Sequence, residues 1–372
     1  MPYRDAQGHE FTIAPLQNDD RTADAFNPLE LYAFFLGLNL NNQHSHGGRI
    51  YHNYHMSFPV DFDTATRQCI MQAFSQGLER SLPASLGYQE GWRTTTPFTV
   101  HEGASEPAAY AAGALPVMGL EPTNEGLPFG VFDFGGGTTD FAIGIYRTAT
   151  PQEERDNGWE EVLEILDSAG DVRLGGEHLL HHLAYAVVRK NMQKMLETGA
   201  GLSFVMPDDA TAFAGSELIL DTGLAARTNT AKLCQALRPL WEENALDTQD
   251  TGQISLTLFD KAGQQSPLLA LDVDEDALRQ WLANRIRQGV EAFFTTFRQA
   301  LKIHESNPSK FHVLLAGNSC RSPLVHEAFE AVKNAITDDD SLRHAITIHD
   351  VLKQDMEHPY APTLKTGVAL GI

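Results

Sequence analysis

Asp133 and Asp140 bracket three consecutive glycines, Gly135, Gly136 and Gly137, and two hydroxyl residues, Thr138 and Thr139, in the run VFDFGGGTTDFAIGIY over 131–146. Removing three neighbouring side chains lets a ligand lie against main-chain N–H groups, and phosphate oxygens are the natural acceptors. The threonines add hydroxyl donors. Two carboxylates suit Mg²⁺, which keeps several waters and needs only one or two acids. Two familiar phosphate loops do not fit. A P-loop needs a Gly-Lys pair that occurs nowhere in the chain. A dinucleotide loop needs a third glycine where Asp140 stands, and a helix after it. Here Phe141, Ile143 and Ile145 alternate with Ala142, Gly144 and Tyr146, which is strand spacing. The glycines therefore join two strands in a hairpin, which by itself asks for one or two glycines at positive φ rather than three. The bland alternative is a tight glycine-rich hairpin with solvated aspartates.

Three further stretches carry related signals. FHVLLAGNSCRSPLV (311–325) reads as a buried strand, a glycine, then a helix opened by Ser-Pro. LGGEHLL (174–180) opens a helix with Gly175 and Gly176, and EPAAYAAGAL (106–115) reads as a short helix with Pro107 in its first turn.

In this order the motifs resemble the ATPase domain of Hsp70-type chaperones, within the actin, Hsp70 and sugar-kinase superfamily. FDFGGGTTD is similar to that family's second phosphate motif, SEPAAYAAG to its first connecting helix, SAGDVRLGGEHL to the segment reaching the phosphates from the other lobe, and VLLAGNSCRSPLV to its adenosine motif. SFPVDFDTATRQ resembles the stretch whose proline and arginine, here Pro59 and Arg67, relay nucleotide state. The likeness covers roughly 50–372, with extra residues at 84–100, 116–127, 149–159 and about 197–230.

The resemblance implies an α/β, actin-like (ribonuclease H-like) two-lobed fold binding ATP or ADP with Mg²⁺. It implies that Asp133 and Asp140 arrange the metal, that Gly135, Gly136, Gly137, Thr138 and Thr139 face the phosphates, and that Glu106 orients the attacking water. Gly175 and Gly176 would approach from the second lobe, and Gly317, Asn318, Ser319 and Arg321 would frame adenosine. Catalytic roles thus fall on Glu106, Asp133, Thr138 and Asp140. The chemistry is phosphoryl transfer to water, governed by positioning and charge neutralisation. Where the family's adenine helix has Glu-x-x-Lys-Arg, the chain has QALRP, leaving Arg238 as the residue that keeps a role. Asn318 stands where the adenosine motif has a second glycine. The family's first phosphate motif, an N-terminal strand with Asp-x-Gly followed by hydroxyl residues, does not occur, so lobe I is expected to be incomplete at the N-terminus. The expected organisation is 1–165 as partial lobe I with the second phosphate motif, 166–310 as lobe II, and 311–372 as a return to lobe I. The implied activity is slow ATP hydrolysis coupled to lobe closure, switching a protein partner or a further domain. A small-molecule kinase of the same fold and a non-hydrolysing nucleotide sensor or scaffold are the alternatives.

The elements that must position these residues follow from periodicity. Helices are expected over 27–40, 61–82 (capped by Asp63 or Thr64), 175–196, 230–239 (ending at Pro239), 274–301 and 322–336; strands over 47–60, 127–134, 160–170 and 311–317; and a hairpin from 253–259 to 267–273. Residues 87–97 read as a turn-rich insert, and 197–230 show no clear period. A net charge of −22 with scattered basic residues argues against nucleic acid as a partner. No apolar stretch reaches membrane-spanning length, no secretory leader is visible, and three distant cysteines suit a reducing cytoplasm.

The remaining candidates read blandly. His44, His46, His52 and His55 are a polar loop followed by strand histidines, lacking acid or cysteine partners at ligand spacing. His178 and His182 have HxxxH spacing, but no third ligand is evident and a solvated helix face is the default. Trp281, Ile286, Val290, Phe293, Phe294 and Phe297 read as core, and Cys69, Cys234 and Cys320 as buried small apolar residues.

Overall fold

The computed structural model describes residues 3–4, 10–13, 25–44, 50–60, 62–82, 98–243, 246, 252–303, 310–335, 345–350, 363 and 366–370. They divide into two compact units, Met1–Ala109 and Tyr110–Gly371. His46 and the insert at 87–97 lie outside the described residues.

The first unit contains a small sheet of β1 (Tyr3–Arg4), β2 (Glu10–Ile13) and β3 (Ala25–Phe26), the helix α1 (Pro28–His44), and a parallel pair formed by β4 (Asn53–Met56) and β5 (Thr99–Glu102) around α2 (Thr64–Arg80). Helices α1 and α2 meet so closely that a Cβ at Gly77 would stand 2.2 Å from the Glu30 carbonyl oxygen. Asp63 caps α2, its Oδ1 accepting from the Thr66 amide at 2.7 Å, and those hydrogen bonds hold its carboxyl below the ordinary carboxylate range. The strand expected over 47–60 is confined to β4 among the described residues. Arg67 on α2 donates to Glu102 on β5 at 2.6 Å. α3 (Glu106–Val117) begins in this unit and continues into the next.

The second unit is built on a five-stranded mixed sheet. β6 (Leu127–Phe134), β7 (Thr139–Thr148) and β8 (Glu161–Asp171) run antiparallel in sequence, with the short α4 (Pro151–Asn157) between the last two. Then come α5 (Gly176–Glu197), α6 (Leu224–Glu242), the antiparallel pair β9 (Gln253–Leu256) and β10 (Leu269–Asp272), and α7 (Glu275–Ile303). β11 (Phe311–Ala316) and β12 (Ile346–His349) complete the large sheet in parallel with β6, giving the order β12-β11-β6-β7-β8. α8 (Pro323–Ala335) connects those two strands, and α9 (Gly367–Leu370) is the last described helix. The chain is thus α/β, with one mixed sheet at the centre of its larger unit.

Strand alternation sends Phe132, Phe134, Phe141 and Ile143 to one face, where they pack with Leu179, Leu237, Phe293, Phe294 and Phe329 in the main core. Val131, Tyr146, Leu314 and Ala316 cover the other face with Tyr110, Ala114 and Leu115 of α3. Each fully buried ring contributes about 1.5–3 kcal/mol over exposure.

Several expectations need correction. The boundary at 165 falls inside β8, within the compact unit Tyr110–Gly371. The pairing of β6 with β11 joins 127–134 to 311–316, two segments expected to share one lobe. Gly175 and Gly176 likewise belong to the same unit as the triple-glycine loop. Helix α6 starts earlier than expected and runs past Pro239, since buried Leu240 and Trp241 hold its last turn in the core. Trp281 is 37% exposed rather than core, and only Cys320 of the three cysteines is buried. No helix among the described residues is long and apolar enough to cross a membrane.

Candidate functional site

The expected hairpin forms, with Phe134 opposite Thr139 and Asp133 directly opposite Asp140. Residues opposite each other in an antiparallel pair place their side chains on the same face, where like charges repel. Asp140 is buried, and its Oδ2 accepts from the Thr138 hydroxyl at 3.0 Å. Between the strands the loop is closed by the Gly135 amide donating to Thr138 O at 2.9 Å.

The three glycines are not there for positive φ, because none of them adopts it. Crowding does not require all of them either: a Cβ at Gly137 would meet nothing within 4 Å, and one at Gly136 would make ordinary contact with Glu177 Cγ at 3.7 Å. Both are exposed, and the amides of Gly136, Gly137 and Thr138 donate to no acceptor among the described residues. Three successive uncommitted N–H groups on an exposed turn form the kind of concavity that receives an anion.

The surroundings of this loop are tightly fixed. The first amides of α5 donate back into it, Gly176 N to Gly135 O at 3.1 Å and Glu177 N to Gly136 O at 2.8 Å. A Cβ on Gly175 would lie 2.2 Å from the Gly137 carbonyl carbon, so this glycine is demanded by close approach. Gly175 and Gly176 therefore seat the loop on the helix, and the Gly176 amide is already engaged. From the other side, the register Ala316 opposite Asp133 brings the end of β11 against the loop. Gly317 turns the chain there at φ +79, where a Cβ would stand 2.3 Å from Phe134 O and 2.5 Å from Asp133 Oδ1. A single 3-10 turn, Asn318–Arg321, follows. In it Ser319 Oγ donates to Gly135 O at 2.9 Å, while Asn318 and Arg321 are exposed.

The end of α6 completes the cluster. Arg238 pairs with Glu177 at 2.8 Å and with Glu242 at 3.2 Å. Trp241 packs on Phe134, and its carbonyl accepts from Ser322 Oγ at 2.8 Å. Burial, followed by the Glu177 carboxylate, pushes the Cys234 thiol up to about 11, and burial raises Cys320 further still. Neither thiol is therefore an available nucleophile at neutral pH.

Asp133, the loop 135–138, Asp140, Gly175, Gly176, Arg238 and Gly317–Arg321 thus gather in one unit. Thr139 is the exception in orientation: it is buried, and its hydroxyl donates to the Leu174 carbonyl rather than facing the loop opening. Glu106 opens α3 in the other unit, where its amide donates to Phe58 O at 3.3 Å. Glu177 and Trp241 were not expected here; Glu177 was visible only as the residue after Gly176. No protein-family model matches the chain, and neither does any curated protein.

Proposed function

We propose that the larger unit is an Hsp70-like, actin-like ATP-binding unit, in which the triple-glycine loop receives phosphate oxygens and Asp133 with Asp140 holds hydrated Mg²⁺. The observation carrying this reading is the loop itself: two exposed glycines that neither dihedral angle nor crowding demands, with three consecutive amides lacking acceptors among the described residues. The opposed carboxylates support the metal assignment, since a cation relieves the repulsion that facing acids create. The sheet order supports the fold assignment: three antiparallel strands followed by two parallel ones, with only β7 reversed, is the ribonuclease H-like arrangement expected of an actin-like lobe.

In this reading the chain's own residues do the positioning. Gly136, Gly137 and Thr138 donate to the phosphates. Thr138 also orients Asp140 through its hydroxyl. Gly317 lets the adenosine segment approach the loop, and Ser319 locks it there through Gly135 O. Arg238, steadied by Glu177 and Glu242, and exposed Arg321 offer planar guanidinium groups for adenine or ribose. Glu106 and Arg67, the latter tied to Glu102, belong to the other unit, and the resemblance alone would give them the roles of orienting water and of passing on nucleotide state. Bound ATP with Mg²⁺ supplies the phosphoryl group and the charge neutralisation for its transfer to water.

The test is binding followed by turnover on the full chain. ATP with Mg²⁺ is expected to raise the melting temperature and to release phosphate slowly without an acceptor, and Glu106→Ala to suppress release while binding persists. No thermal shift with either ATP or ADP would sink the reading. Binding without release in the unmodified protein would replace hydrolysis by a nucleotide sensor.

A further inference from the structure

His178 and His182 lie one turn apart on α5, with both ring Nε2 atoms directed at one carboxylate. That carboxylate is Asp209, 27 residues beyond His182. Its Oδ1 lies 2.7 Å from His182 Nε2 and 3.2 Å from His178 Nε2, and the ligand atoms of all three residues lie within 4.8 Å of one another. Their side chains are only 16–19% exposed.

Asp209 is held in place by the segment around it. The Ala210 amide donates to Pro207 O at 3.1 Å, closing a turn. Four residues before Asp209, the Val205 carbonyl faces His181 Nε2 at 3.0 Å; two residues after it, the Thr211 carbonyl accepts from Tyr185 OH at 2.9 Å. Residues 178, 181, 182 and 185 form one face of α5, and all four grip the same stretch of chain. Trp281 of α7 stacks on the His182 ring at 5.2 Å between centroids, fixing that ring's plane.

We propose that His178, His182 and Asp209 form a binding site for a divalent transition-metal ion, zinc by its donor chemistry. Two imidazoles at i and i+4 with one carboxylate are a zinc ligand set, leaving the fourth position for water. Bond lengths of about 2.0–2.2 Å place tetrahedral ligand atoms roughly 3.4 Å apart. The His178–Asp209 separation already meets that, and the His182–Asp209 contact needs to open by less than about 1 Å. The ion fastens the 205–211 segment to α5. The donors are nitrogen and oxygen without thiolate, which disfavours Cu(I), and the two imidazoles disfavour Ca²⁺ and Mg²⁺. The site is independent of the nucleotide reading.

The experiment is titration of the chelator-stripped full chain with Zn²⁺ and with Co²⁺, which reports geometry through its visible absorption. One-to-one binding, a rise in melting temperature with Zn²⁺ and a Co²⁺ spectrum typical of four or five ligands are expected. Asp209→Asn, which keeps the side-chain shape, should weaken Zn²⁺ binding by about tenfold or more and abolish the spectrum, as should His182→Gln. His55→Gln, in the other unit, should change neither. Absence of a Co²⁺ spectrum in the unmodified chain overturns the proposal, as does binding that survives Asp209→Asn unchanged.

Discussion

Two hairpin turns in the larger unit solve the same geometric problem differently. The connection between β9 and β10 closes on itself. Asp260 Oδ1 accepts from the amides of Ala262 and Gln264, both at 2.8 Å, and Asp260 O accepts from Gly263 at 3.0 Å. Gly263 sits at φ +82, where only glycine is comfortable. Its single glycine thus serves the turn. The loop between β6 and β7 has three glycines, none at positive φ, and three amides that no group among the described residues caps. A turn that satisfies its own donors is finished. A turn that leaves them open, while neighbouring elements hold it rigidly from two sides, is shaped for something outside the chain.

Substitutions can break or sharpen this contrast. Gly317→Ala should have the largest effect, because a left-handed φ and overlaps with Phe134 O and Asp133 Oδ1 combine. A loss of about 3 kcal/mol or more is expected in urea denaturation, together with loss of nucleotide binding. Gly137→Val enters open space and should leave stability within about 0.5 kcal/mol of the parent, yet weaken binding of ATP with Mg²⁺ by about tenfold or more in calorimetry. Unchanged affinity in that variant would reduce the triple-glycine loop to an ordinary turn. Gly263→Ala should do the reverse, costing about 1 kcal/mol of stability through its backbone angle alone, with nucleotide affinity untouched.

Acid sensitivity is the smallest expected effect and belongs to neither turn. His312 on β11 and His349 on β12 face each other, Nδ1 to Nε2, at 2.8 Å. Burial holds both below the ordinary histidine range, with His349 adding to the depression at His312. They remain neutral in the fold while the unfolded chain takes up protons, so their contribution is complete above the unfolded pKa of about 6.5 and declines as pH falls through the depressed folded values. His349→Gln should flatten that part of the stability–pH curve, whereas Gly137→Val should leave its shape unchanged.

The local steps were legible because local physics sets them. Alternation after Asp140 announced the hairpin, Asp63 announced the start of α2, and the paired glycines announced α5. Pro239 misled because burial of Leu240 and Trp241 outweighs one missing main-chain donor in a last turn. Sheet register was not legible: β6 pairs with β11 across nearly two hundred residues, with Asp133 opposite Ala316, and nothing local to either segment specifies that partner. The expectation of positive φ in the glycine loop failed because its shape is imposed by α5 and β11 rather than by the turn alone. At His178 and His182 the spacing was visible but the third group was not. Asp209 lies in a stretch without periodicity, so nothing local connects it to the helix it faces.

The sequence by itself determined which residue types stand together over short spans: two acids around three glycines, a glycine after a buried strand, two histidines one helical turn apart. Hydrophobic period and backbone freedom act over a few residues, so those features survive reading in one dimension. Only the tertiary structure decided that Gly317 and Ser319 close on the loop after Phe134, that the first amides of α5 are engaged by it, and that Asp209 completes a group of three ligands. Those outcomes depend on sheet register and on packing between distant elements, which lower the energy of the whole unit and leave no mark on any one stretch.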